Sequence, residues 1–126
     1  MDRKRTLKYY PMKAALKHLH SPDVDFRDFR PEEEDRFSFL LQAMIGPDGN
    51  DVSESFDIMV CTPRWLLENC NEPKWGRHML IVPGYDIQKI REVIEQYCSS
   101  CEGKDWETIA GLLSRIGRWE FEDYRQ

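Results

Sequence analysis

The stretch from residue 37 to residue 61 constrains this chain more than any other. Phe37, Phe39, Leu41, Ala43 and Ile45 are spaced two apart, the period at which strand side chains return to one face. Gly46-Pro47-Asp48-Gly49-Asn50 then gathers the residues that tight turns favour. After the turn, Phe56, Ile58 and Val60 alternate against Asp57. Two alternating runs around such a break predict an antiparallel hairpin with a long acidic loop. Leu40 and Met44 lie on its second face and predict partial cover there as well.

A hairpin must bury its apolar face against something, and the flanking segments supply the material. Residues 12–19 alternate, with Met12, Ala14, Leu16 and His18 on one side, which predicts another half-buried strand. Ser21-Pro22-Asp23 turns the chain, and the polar residues 23–36 predict a loop with one helical turn after Pro31. Thr62-Pro63 opens a short helix with Trp65, Leu66 and Leu67 as its apolar side. Residues 77–82 predict a fourth strand, ended by Pro83-Gly84. Asp86 caps the longest helix, whose stripe is Ile87, Ile90, Val93, Ile94, Tyr97, Cys98 and Cys101, and Gly103 closes it. Asp105 opens a further helix with Trp106, Ile109, Leu112, Leu113 and Ile116 on its stripe and Gly117 as a C-cap. Trp119 and Phe121 point inward from a last strand.

The expected fold class is therefore α+β. It has a mainly antiparallel sheet of about five strands, helices packed on one face, and the order β-β-β-α-β-α-α-β. The length of 126 residues fits one domain, drawn at 12–126. Residues 1–11 form a basic leader, expected to be disordered or extended.

Charge narrows the partners. The chain carries −5 overall, yet its first eleven residues carry Arg3, Lys4, Arg5 and Lys8 against Asp2 alone, so the remainder carries −8. An acidic body repels phosphates and attracts a basic protein. The expectation is no nucleic-acid partner and no membrane partner, since no apolar run approaches the roughly 20 residues of a span. The basic start has no apolar stretch after it, so no signal peptide is expected. The chain should stay in the cytoplasm with its four cysteines reduced. It should be a monomer or a weak homodimer.

Candidate chemistry is sparse. Cys98-Ser99-Ser100-Cys101 has the spacing of a zinc or redox pair, but Cys61 and Cys70 do not form a second one. The pair also sits late in a helix, where the dipole opposes a thiolate. It reads as core. His18 and His20 share one strand face and could hold a metal with carboxylates, which frames the rival reading of a small metal-assisted hydrolase. No Gly-x-Ser-x-Gly elbow and no glycine-rich phosphate loop occur. Accordingly no catalytic residue, no metal and no cofactor is expected, and the chain reads as a non-enzyme. A second rival, a nucleic-acid-associated regulator, would use the basic and aromatic leader. The candidate contact residues for a basic protein are Glu32, Glu33, Glu34 and Asp35 before the hairpin, Asp48, Asp51 and Glu54 around its turn, and Glu120 near the end.

Several stretches in one order also carry a resemblance. They are Met12-Lys13-Ala14 running to Leu19-His20-Ser21-Pro22-Asp23, then Phe39-Leu40-Leu41-Gln42-Ala43-Met44-Ile45-Gly46-Pro47. Glu54-Ser55-Phe56-Asp57, Val60-Cys61-Thr62-Pro63-Arg64-Trp65-Leu66 and Leu80-Ile81-Val82 follow. Trp106-Glu107 and Trp119-Glu120-Phe121-Glu122-Asp123-Tyr124 complete the set. Over residues 12–124 the chain resembles the immunity protein 8 family of bacterial polymorphic toxin systems. The resemblance implies an α+β fold, a gene beside a toxin gene, and neutralisation of that toxin by direct binding. It implies no catalytic residues. Toxins in such systems are often nucleases or deaminases with basic clefts, which an acidic inhibitor suits.

Overall fold

In the computed structural model, which describes residues 11–122, strand β1 (Met12–His20) leads into β2 (Ser38–Pro47) and β3 (Glu54–Cys61). The hairpin expected from the sequence is present: β2 and β3 pair antiparallel from Ser38 opposite Cys61 to Ile45 opposite Glu54. Phe39, Leu41, Ala43 and Ile45 are buried together with Phe56, Ile58 and Val60. Helix α1 (Pro63–Asn69), strand β4 (Met79–Ile81), helix α2 (Ile87–Ser99), strand β5 (Glu102–Gly103), helix α3 (Trp106–Leu113) and strand β6 (Arg118–Trp119) complete the order. The sheet runs β4-β3-β2-β1-β5, and β6 pairs with the start of β3.

The α+β class and the strand-rich layout match expectation, with two differences. The sheet is mixed, because β4 runs parallel to β3. Residues 62–78 cross back through α1 before β4 begins, and a connection of that length permits a parallel neighbour. The other difference is β5, a two-residue strand that pairs with Met12 and Lys13. Gly103, expected to close a helix, lies in this strand, where an added Cβ would meet the Thr108 side chain at 2.9 Å. Two residues give too short an alternation to read from sequence.

Strand β1 departs from strict alternation. Leu16 stands opposite Ile45 and His18 opposite Met44, so Lys17 is an extra, bulged residue. Leu19 therefore turns into the core, while His18 and His20 are exposed. The loop at residues 23–36 is less polar in effect than in composition. Phe26 and Phe29 join Phe37, Phe39 and Tyr85 in an aromatic cluster, with Phe29 edge-on to Tyr85 at 4.8 Å. After Pro31 there is a bridged turn from Glu33 to Arg36 and no helical turn.

The helix caps follow the sequence. Thr62, fully buried, accepts from Trp65 N–H at 3.2 Å and from Phe37 N–H at 3.3 Å, tying α1 to the start of β2. Asp86 accepts from Lys89 N–H and Asp105 from Thr108 N–H. Helices α2 and α3 pack on one face of the sheet, with Ile90, Ile94, Cys98, Ile109 and Leu113 buried. Helix α1 buries none of its residues, and Leu67 is exposed. Gly117 is not a left-handed cap. It sits where a Cβ would meet Phe56 Cβ at 2.9 Å and Ile58 Cγ1 at 3.2 Å, so a glycine lets the chain after α3 pass close against β3.

Cys98 and Cys101 are 2% exposed, in the core as their stripe predicts. Burial pushes the Cys98 thiol up to about 12, and burial also raises Cys61 and Cys101. An unfolded thiol ionises near 8.5, so above that pH the unfolded chain releases protons that the folded chain keeps. Stability from these groups is thus complete below about pH 8.5 and falls as pH rises above it, for Cys98 until about pH 12, by roughly 1 kcal/mol per pH unit. Urea unfolding between pH 8 and 10.5 should show a declining midpoint, and replacing Cys98 by alanine should flatten the decline. A midpoint independent of pH over that range would contradict the burial.

Candidate interaction surface

The hairpin turn is a rigid, exposed projection. Gly49 adopts φ 98°, a left-handed conformation that glycine favours. Asn50 Oδ1 accepts from Val52 N–H at 2.9 Å, the Lys17 ammonium donates to the Asn50 carbonyl, and Asp48 N–H donates to the Lys13 carbonyl at 2.8 Å. These bonds use the turn's backbone and leave the Asp48 and Asp51 side chains exposed, with Val52 exposed beside them.

The other carboxylates at this end of the sheet have structural duties. Glu54 Oε1 accepts from Trp106 Nε1 at 2.7 Å and from Trp119 Nε1 at 2.8 Å. One carboxylate oxygen thereby joins α3 and β6 to the first residue of β3. Trp119 stacks on Phe56 at 6.4 Å and 9°, and Trp106 meets the same ring edge-on at 6.5 Å. Glu120 accepts from Ser55 N–H through its side chain, and its own N–H donates to the Ser55 carbonyl at 3.0 Å. Glu54 is half-buried, so it is a clamp first and a poor contact residue; Glu120 is exposed but also bound within the fold. Trp119 is buried from the last strand as expected, whereas Phe121 lies beyond β6 in a turn and packs edge-on to Trp119, partly buried.

The earlier acidic block lies elsewhere. Glu32, Glu33, Glu34 and Asp35 precede β2, while Asp48 and Asp51 follow it. A ten-residue strand separates the two sets by about 30 Å. The carboxylates therefore do not form one patch. Arg64 contacts Glu33 at 2.7 Å and Asp35 at 3.0 Å, and Arg36 contacts Glu33 at 2.6 Å. Glu68 approaches both guanidiniums at 3.4 Å. The Asp35 carboxylate, followed by Glu33, raises the Arg64 pKa. Half of the block is thus engaged in holding α1 against the loop, a use that the sequence spacing did not signal.

His18 and His20 stand on the open face of the sheet. Among the described residues no three His, Cys, Asp or Glu side chains come together to hold a metal. His78, by contrast, has φ 61° and its Nε2 lies 2.7 Å from the Ser114 carbonyl oxygen. No described helix is long and apolar enough to cross a membrane. The leader at residues 1–11, on which the nucleic-acid reading depends, lies outside the described residues except for Pro11, as do Asp123 and Tyr124.

No curated protein and no solved structure matches this chain. A family model described as Immunity protein 8 matches residues 14–124, which take in the sheet apart from the first two residues of β1 and all three described helices, and the chain belongs to that family.

Proposed function

We propose that this chain neutralises a cognate toxin domain by binding it directly, with the hairpin turn as the contact and no catalytic step of its own. The observation that carries the reading is the family match over residues 14–124. The geometry supports the choice of contact. Asp48 and Asp51 project from a turn whose backbone is already hydrogen-bonded, so little side-chain or loop ordering remains to oppose binding. An acidic projection with an exposed Val52 at its base suits a basic cleft such as that of a nuclease. The toxin would be a polymorphic or contact-dependent one, met in the bacterial cytoplasm, and the inhibitor would act as a monomer or at most a weak homodimer. Glu32 and Glu34, unlike Glu33 and Asp35, have no ion pair among the described residues and form a secondary candidate contact.

Stopped-flow association with the toxin domain encoded beside this chain tests the reading. Reversing both turn charges, Asp48→Lys with Asp51→Lys, should slow association about tenfold or more at low salt and flatten its salt dependence. Both side chains are exposed and make no bond among the described residues, so the melting temperature should stay within a few degrees. Unchanged association kinetics would remove the turn from the interface. Failure of the unaltered chain to protect cells that express the toxin domain would remove the function itself.

A further inference from the structure

Among the described residues strand β4 ends the sheet on its side, and no strand pairs with its far edge. Its ladder to β3 uses alternate residues. Met59 N–H donates to the His78 carbonyl at 2.9 Å, and Val82 N–H donates to the Cys61 carbonyl at 2.9 Å. The backbone groups of Met79 and Ile81 therefore point away from β3. Helix α2 borders the space beyond them. Val93, a member of its apolar stripe, is 49% exposed, and Ile81 is 53% exposed. Between helix and strand lies a cavity of about 530 Å³ with Leu80, Ile94, Tyr97 and Ile116 in its walls. Leu80 and Val93 also line a second cavity of about 380 Å³, so the two form one groove along β4.

The groove is held in shape from within. The His78 ring reaches the Ser114 carbonyl, and the Tyr97 hydroxyl donates to the Leu112 carbonyl at 2.7 Å, so two groove residues fix the end of α3. His78 holds a left-handed backbone at this point, with φ 61°, a conformation that a non-glycine residue rarely adopts. Arg77 and Arg115 line one end of the groove, where Arg77 approaches Glu122 at 3.6 Å and the Arg115 side chain has no hydrogen bond or ion pair among the described residues, while Glu34 and Asp86 line the other end.

We infer that this edge docks an extended segment of a partner protein, which adds to β4 as one more strand, lays an apolar side chain against Leu80 and Val93, and sets a carboxylate on Arg77 and Arg115. Open backbone groups call for a strand, and alternate side chains of that strand would fall over α2. At the end of the groove away from Glu34 and Asp86, the Arg115 guanidinium, with Arg77 sharing its charge with Glu122, selects a segment with an acidic residue there. Pro83 offers no N–H just beyond β4, so the added strand is short. A second copy of this chain fits less well, because residues 77–82 contain no carboxylate. The inference is independent of the hairpin turn and does not rest on the toxin reading.

The test pans a phage-displayed library of random dodecapeptides against the full chain. The consensus peptide is then synthesised and followed by amide chemical shifts and hydrogen exchange. The consensus should carry apolar residues two apart with an acidic neighbour. Shifts should centre on Met79, Ile81 and Val93, and exchange at Met79 and Ile81 should slow about tenfold or more. Val93→Asp, and separately Arg77→Gln with Arg115→Gln, should each weaken binding about tenfold while the circular-dichroism melt stays unchanged. No enrichment over the Val93→Asp protein, or shifts centred away from β4, overturns the proposal. Protection of Met79 and Ile81 on concentrating the chain alone also overturns it, by assigning the edge to a second copy.

Discussion

Alanine at position 46 is expected to lower stability by about 3 kcal/mol, at the upper end of what overpacking produces. A Cβ built on Gly46 falls 1.8 Å from the Val52 carbonyl oxygen, 2.8 Å from its carbon and 3.0 Å from Ser53 Cα. Each of these atoms is backbone, so no side-chain rotation relieves the clash. The hairpin must open between Gly46 and Val52, and the buried Ile45 beside it must move. For a chain of this size the loss corresponds to a fall in melting temperature of about 10–15 °C. Gly111→Ala provides the control: it lies in α3, nothing stands within 4 Å of its added carbon, and alanine there should stabilise by about 0.5–1 kcal/mol. Thermal melts of the two variants should move in opposite directions. Equal melts would mean that the turn is built differently.

The second large effect is expected at Glu54. Alanine there removes the acceptor shared by two indole N–H groups, one of them on the buried Trp119. Taking the acceptor from a buried donor costs about 1–3 kcal/mol, so the pair predicts a loss of about 3 kcal/mol. Glutamine keeps a carbonyl oxygen in the same place and should cost about 1 kcal/mol by weakening charge-assisted bonds. Urea unfolding followed by tryptophan fluorescence measures both, and the fluorescence reports on the indoles directly. A Glu54→Ala protein as stable as the parent would show that the clamp is idle. The contrast with Asp48 and Asp51 is the useful part. Substitutions at the turn should alter toxin association and spare stability, whereas substitutions at Glu54 should do the reverse.

The elements that sequence made legible are those with long, regular periods. The β2 and β3 alternation, the α2 and α3 stripes, and the caps at Thr62, Asp86 and Asp105 all correspond to observed elements. Short pairings were not legible. Strand β5 is two residues long, and β4 acquires its parallel direction from a crossover whose path depends on tertiary packing. Val93 illustrates another limit. It has the spacing of a core residue, yet no described strand lies beyond β4 to cover it. Of the eight carboxylates singled out, the sequence marked the acidic character of each but not its employment. Glu33 and Asp35 serve Arg64, Glu54 serves two tryptophans, and Glu120 serves Ser55. Only partner geometry separates a working carboxylate from an available one, and spacing along a chain does not encode it.

Lys17 shows how a strand can carry one residue too many and still present the right side chains to the core. Because it occupies a place with no counterpart on β2, every residue after it is read one step out of phase with those before it. Deleting that single lysine would leave Leu16, His18, Leu19 and His20 in plain alternation against Ile45, Met44, Ala43 and Gln42, with Leu19 still inward and both imidazoles still outward. The bulge, and not the count of residues in β1, therefore decides which side chains join the interior.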